Sequence, residues 1–186
     1  MKYIIASDLH GSAAFVERLM EAWDREQADG MLLLGDVLYH GPRNDLPEGY
    51  DTKRCVQLLN PRYRSITAVR GNCDAEVDQM VLEFPLLADR MDVIADGRRL
   101  LLTHGHLYTP ASPPPLEPGD VMLSGHTHMP ACDRSPAGVW FLNPGSVSIP
   151  KNGSPHSYMT LEGDVFLWKT LDGEVYRTLD LRTAEK

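Results

Sequence analysis

Five short apolar runs in this chain end alike, in a small residue followed by an imidazole, carboxylate or carboxamide. The endings are Ser7-Asp8-Leu9-His10, Gly35-Asp36, Gly71-Asn72-Cys73-Asp74, Thr103-His104-Gly105-His106 and Gly125-His126-Thr127-His128. Short apolar runs read as buried strands, and strand ends in a parallel sheet gather on one rim, where ligands bind. Glycines there let the backbone turn sharply beside a ligand. The fold must therefore bring residues spread over about 120 positions to one edge.

The segments between these endings fit such a sheet. Tyr3 to Ala6 reads as a strand, Ser12 as a helix cap, and Phe15, Leu19, Ala22 and Trp23 recur at helical spacing. Met31 to Leu34, a helix from Lys53 to Leu59 ending before Pro61, and Ile66 to Val69 complete a βαβαβ start. The second half loses helical periodicity. Val93-Ile94 and Arg99 to Thr103 flank Asp96-Gly97 as a hairpin, Val121 to Leu123 and Val139 to Leu142 add strands, and Tyr158 to Leu161, Val165 to Thr170 and Val175 to Leu179 read as an antiparallel meander. Two sheets face to face with helices outside would bury both halves in one core, a single domain over 1–186. Tyr39 to Tyr50 and Tyr108 to Pro118 read as surface loops; each follows a candidate ligand turn and is placed to wall a site.

Composition narrows the function classes. No apolar stretch reaches the roughly 18 to 20 residues of a membrane span, which implies a soluble protein. Met1 runs straight into the first strand without a basic segment and apolar signal core, so the expected compartment is the cytoplasm. Cys55, Cys73 and Cys132 are an odd number without zinc-knuckle spacing and read as reduced thiols. A net charge of −8 and the lack of an aromatic-basic track argue against extended nucleic acid as a partner. Bound divalent ions would reverse that sign locally, so a phosphate substrate is compatible.

Any one Asp-x-His pair or Gly-Asp turn is ordinary in solvated loops, and a lone buried histidine is more often a satisfied core residue. All five endings at successive strand ends point to a metal site. Imidazole and carboxylate ligands without thiolate suit Mn²⁺, Fe²⁺, Zn²⁺ or Ni²⁺ better than Mg²⁺ or Ca²⁺. Four histidines, two aspartates and an asparagine exceed what one catalytic ion takes, whereas a shared carboxylate bridges two ions about 3.5 to 4 Å apart.

The series Asp-x-His, Gly-Asp, Gly-Asn-x-Asp, Thr-His-Gly-His and Gly-His-x-His, in this order, resembles the calcineurin-like metallophosphoesterase superfamily and, within it, the YfcE-type phosphodiesterases. The segments His40 to Asn44 and Asn143 to Ser148 add to the resemblance. It implies an α/β fold of two facing mixed β-sheets flanked by helices, a four-layer α/β/β/α sandwich. It implies that Asp8, His10, Asp36 and His128 hold one ion and that Asp36, Asn72, His104 and His126 hold the other, with Asp36 as bridge and Mn²⁺ foremost among the metals. It further implies hydrolysis of a small phosphodiester, away from membranes, by a homo-oligomer, dimer or tetramer. The alternatives are a phosphomonoesterase, a nuclease, and a catalytically weak or inactive scaffold resembling the small subunit of the retromer sorting complex.

One position departs from the family pattern: where relatives carry His, this chain has Cys73 between Asn72 and Asp74. A thiol with an ordinary pKa near 8.5 protonates a leaving group poorly, so good leaving groups, and hence activated diesters, are expected. The candidate catalytic residues are Asp36, Asn72, Cys73 and His106, the last as a phosphate contact or a donor to a ligand. Asp74 reads as the orienter of a ligand histidine or as a helix cap, and Arg43 and Arg70 as optional phosphate partners.

Overall fold

The computed structural model describes residues 1–184, so the last two residues of the expected 1–186 domain lie outside the described residues. Strand β1 (Lys2–Ala6) leads to helix α1 (Ala13–Glu26), β2 (Gly30–Leu33), α2 (Thr52–Leu59) and β3 (Ile66–Ala68). The Ser12 hydroxyl accepts from the Phe15 N–H, starting α1, and Gln27 in the left-handed region (φ 50°) ends it. Between these caps Phe15, Val16, Leu19, Ala22 and Trp23 form the buried face. β1, β2 and β3 pair in parallel, as the alternating pattern predicts.

The short helix α3 (Glu76–Gln79) precedes the hairpin of β4 (Arg90–Ala95) and β5 (Arg98–Thr103), followed by β6 (Val121–Leu123), β7 (Pro130–Arg134) and β8 (Trp140–Pro144). These five form one mixed sheet in the order β4-β5-β6-β8-β7. Sequence reasoning misses β7, an edge strand of half-buried and exposed residues that starts on a proline, the one strand position where a missing N–H costs little. The tail then supplies β9 (Ser157–Glu162), β10 (Val165–Thr170), β11 (Val175–Asp180) and the short α4 (Leu181–Ala184). β9 pairs antiparallel with β1, so the meander extends the N-terminal sheet to six strands in the order β11-β10-β9-β1-β2-β3.

The sheets face each other across a core containing Ile5, Leu32, Leu34, Leu100, Leu102 and Leu123. Helix α1 packs on the other face of the six-stranded sheet over Ile4, Ala6, Met31 and Leu33. Residues alternate between these two cores along β1 and β2, the period-two pattern of a strand buried on both faces. Truncating a fully buried member such as Leu102 to Ala would cost about 3 kcal/mol. On the outer face of the second sheet, Leu101, Met122 and Phe141 are covered by Tyr108 and Leu116 from the proline-rich loop. No helix among the described residues is long and apolar enough to cross a membrane.

Candidate metal centre

The parallel pairing carries the ends of β1, β2 and β3 to one rim, and β5 and β6 bring theirs opposite across the inter-sheet core. The turns beyond β1 and β2 stay linked: Asp8 N–H donates to the Gly35 carbonyl at 3.1 Å and His10 N–H to the Asp36 carbonyl at 2.9 Å. Eight described non-glycine residues have positive φ, and five of them are Asp8, His10, Asp36, His126 and His128. Such backbone costs free energy and persists where the surroundings over-determine it, typically at functional sites. The glycines at the strand ends have a steric reason: a Cβ on Gly71 would meet the Asp36 carboxylate, and one on Gly125 the Ser7 hydroxyl and the Asp8 carboxylate.

Asp8, His10, Asp36, His104 and His128 are at most 3% exposed. Three of these rings are oriented alike. His10 Nδ1 faces the Tyr39 carbonyl at 2.9 Å, His104 Nδ1 that of Leu34 at 2.7 Å, and His128 Nδ1 that of Ile149 at 2.6 Å. A carbonyl only accepts, so each Nδ1 must carry a proton, and Nε2, which bears the lone pair when the ring is neutral, is turned inward. Those lone pairs converge: His10 Nε2 lies 3.2 Å from His128 Nε2, and His104 Nε2 lies 3.1 Å from Asn72 Oδ1. Asp8 Oδ1 stands 3.2 Å from His128 Nε2, 3.7 Å from His10 Nε2 and 4.0 Å from His104 Nε2, while Asp36 Oδ2 stands 3.7 Å from His10 Nε2 and 3.3 Å from His104 Nε2. Asp8 Oδ1 is buried without a hydrogen-bond partner among the described residues. Acceptors facing acceptors around an orphaned carboxylate oxygen fit a cation, and these donors are of the kind that borderline divalent metals prefer.

The close groups are Asp8 with His10 and His128, Asp8 with Asp36 and His104, and His10 with Asp36 and Cys73, each within 4.8 Å. Asn72 joins through His104. His126 stands just outside these groups, its ring 5.1 Å from that of His104, and donates its backbone N–H to Asp8 Oδ2.

Electrostatics follow from this crowding. Burial alone would raise the Asp8 carboxyl, but the adjoining imidazoles of His10, His128 and His104, in their charged forms, hold it far below the usual range. Burial opposes charge on His104, yet in the metal-free site Asp36 and Asp8 lift it to about 9, and a divalent ion held at Nε2 would replace that proton. His106 lies beside this pair, its ring 5.4 Å from that of His104, and burial and the neighbouring imidazoles lower its pKa. The Cys73 thiol is pushed up to about 12 by burial and by the charge of Asp36, so it is a neutral S–H.

Two expectations are corrected. Asp74 neither orients a histidine nor caps a helix: its carboxylate accepts from the backbone N–H groups of Asp36 (2.8 Å), Val37 (2.8 Å) and Gly71 (2.7 Å) and so holds the Asp36 turn. Backbone carbonyls do the orienting instead. Arg70 is engaged by Asp89 at 2.6 Å. Sequence reasoning also misses how the β8–β9 connection secures Asp8, whose carbonyl accepts from the Ser146 and Ser148 hydroxyls at 2.9 and 3.0 Å. The run Asn143 to Ser148 was the available signal. Of the two loops, residues 41–44 line a cavity of about 370 Å³ with His10, Asp36, Asn72, His126 and His128.

Comparison with known proteins supplies the context. Residues 1–164 match the model of the calcineurin-like phosphoesterase superfamily domain. Over 165 residues the chain is 48% identical to phosphodiesterase YfcE of Escherichia coli strain K12, covering 89% of each chain. The solved structure of YfcE, a phosphoesterase from E. coli, superposes with a TM-score of 0.93 at 46% identity, covering 97% of this chain and 99% of that one. Vps29 of Entamoeba histolytica, solved with Zn²⁺, superposes with a TM-score of 0.60 at 21% identity over 97% of this chain and 99% of its own, a likeness of fold alone.

Proposed function

The chain belongs to the calcineurin-like phosphoesterase superfamily and is a metal-dependent phosphodiesterase, and from this premise we propose how its residues divide the work. The observation that carries the reading is the convergence of three Nε2 lone pairs, each oriented by a carbonyl behind it, on Asp8 and Asp36. Asp8, His10, Asp36 and His128 hold one divalent ion, and Asp36, Asn72, His104 and His126 the other. The position of Asp36 Oδ2 between His10 and His104 supports its role as the shared ligand. The absence of thiolate among these donors favours Mn²⁺, with Zn²⁺, Fe²⁺ or Ni²⁺ as substitutes. Such ions supply Lewis acidity, neutralising charge on phosphoryl oxygens and acidifying water.

The chain's own residues then set the substrate. Cys73 occupies the position that carries a histidine in the family pattern, and as a neutral thiol, its pKa pushed up to about 12, it holds its proton. Leaving groups must therefore depart as stable anions, which favours activated diesters over alkyl monoesters. His106, neutral at pH 7 because its pKa is lowered, contributes a hydrogen bond to substrate rather than a proton. A scaffold would need no such convergent ligand set.

The two sheets sharing one core support a single domain over 1–186. We place the enzyme in the cytoplasm as a homo-oligomer, dimer or tetramer. The exposed apolar side chains Val77, Met80 and Val81 support a subunit contact. The net charge of −8 supports small diesters rather than extended nucleic acid as substrates. The test is hydrolysis of paired chromogenic mono- and diesters by metal-free protein before and after Mn²⁺, Ni²⁺, Zn²⁺ or Mg²⁺ is restored. Restored activity greatest with Mn²⁺ and on diesters is expected; equal hydrolysis without metal would overturn the reading.

A further inference from the structure

Arginines in this acidic chain are almost all engaged. Every other arginine among the described residues meets a carboxylate, a carbonyl or phenol oxygen, or an aromatic face. Arg43 meets none, although Asp45 and Glu48 share its loop. Of the four described lysines, Lys2 and Lys169 pair with Glu26, while Lys53 and Lys151 have no side-chain partner among the described residues. Arg43 and Lys151 line the same cavity of about 370 Å³ as the candidate ligands.

Their placement is tied to those ligands. Arg43 follows Tyr39, whose carbonyl orients His10, on a loop closed by Asn44 Nδ2 donating to the His40 carbonyl at 2.8 Å. Lys151 follows Ile149, whose carbonyl orients His128, and donates its own backbone N–H to the His128 carbonyl at 3.3 Å. The two segments that aim His10 and His128 therefore each carry one unpaired cation into the cavity. A simple diester bears one negative charge, and divalent ions among two aspartates already exceed it. Two further cations repel that cluster unless an additional anion lies between them.

We propose that Arg43 and Lys151 form an anion subsite beside the metal cluster, selecting phosphodiesters that carry a second phosphate on one ester arm. The inference rests on the phosphodiesterase reading. Arg43 contributes a planar fork that can chelate a phosphate, and Lys151 a point charge lining the same cavity. Because neither group is assigned to the reacting phosphoryl, the benefit falls on KM rather than kcat.

The experiment compares two substrates on the Mn²⁺-loaded enzyme, the p-nitrophenyl ester of thymidine 5′-phosphate and the same ester bearing a 3′-phosphate. The 3′-phosphate is expected to lower KM about tenfold, the effect of one charge-assisted contact, with kcat little changed. That advantage should shrink as NaCl rises and disappear in the Arg43→Gln/Lys151→Gln double variant. Calorimetry with unreactive probes gives a second readout: adenosine 3′,5′-bisphosphate should bind about tenfold tighter than adenosine 5′-monophosphate to the native enzyme but not to the double variant. Equal KM and equal binding in the native enzyme, or a preference that survives in the double variant, would overturn the subsite. Were neither ester hydrolysed, the diesterase reading would fall while the calorimetry still decided the subsite.

Discussion

Two places in this molecule take carboxylates out of water, and they do so in opposite ways. Behind α1, Glu26 is 9% exposed and surrounded by donors: Lys2 at 2.9 Å, Lys169 at 2.7 Å and the Tyr158 hydroxyl at 2.8 Å. Burial alone would raise its pKa, but these partners lower it to about 2. At the rim, Asp8 and Asp36 are buried more deeply, yet beyond the backbone N–H groups they accept, their side-chain neighbours are histidines turned to offer lone pairs, and Asp8 Oδ1 has no partner. The first cluster is complete within the chain. The second is organised around a charge the chain does not supply, which distinguishes a structural ion-pair network from a metal centre.

Substitutions that remove one charge from each cluster should separate the two, and the largest effect belongs to Asp36. Asp36→Asn keeps the size but removes the negative charge placed between His10 and His104. The variant is expected to bind fewer than two ions per chain and to lose nearly all diesterase activity, while its metal-free form keeps its circular dichroism because the apolar cores are untouched. Two tightly held ions with near-normal hydrolysis would require a different shared ligand.

Glu26→Gln should do the reverse. It strands Lys2 and Lys169, costing on the order of 2 kcal/mol at neutral pH with or without metal, with activity per folded molecule retained. The sign with pH follows from the lowered pKa. The native carboxylate contributes stability above the ordinary value of 4.5, and this is lost as pH falls toward about 2. The gap between native and Glu26→Gln melting temperatures should therefore narrow across that interval. A gap independent of pH would mean that the ion pairs contribute nothing.

The smallest effect is expected at Cys73, which touches the rim cluster without completing it. Cys73→His introduces a group that can donate a proton near neutral pH, so turnover should rise several-fold for esters with poor leaving groups and little for p-nitrophenyl esters. A uniform loss across substrates would instead assign the thiol a positive role.

Much of the rim was legible because its signal is chemical and local: a polar ligand type after an apolar run and a glycine marks a strand end at any distance along the chain. Asp8, His10, Asp36, His104 and His128 were all readable in this way. The supports were not. The carbonyls of Leu34, Tyr39 and Ile149 belong to the backbone, which no side-chain pattern announces, and Asp74 could be placed only once the Asp36 turn was known. The Glu26 cluster joins residues over 140 positions apart, so nothing local marks it. β7 was hidden because an edge strand of exposed polar residues lacks the apolar alternation that identifies a strand. The pairing of β9 with β1 is a long-range register that the meander's turns do not encode.

The central claim, that the rim cluster is completed by two divalent ions, is tested most directly by titrating metal-free protein with Mn²⁺ while measuring bound metal and melting temperature together. Two ions per chain should bind and, at about a hundredfold excess over Kd for each, raise the melting temperature by about 10 to 20 °C, in the Glu26→Gln variant as in the native chain. A melting temperature that does not move, with no metal retained, would contradict it.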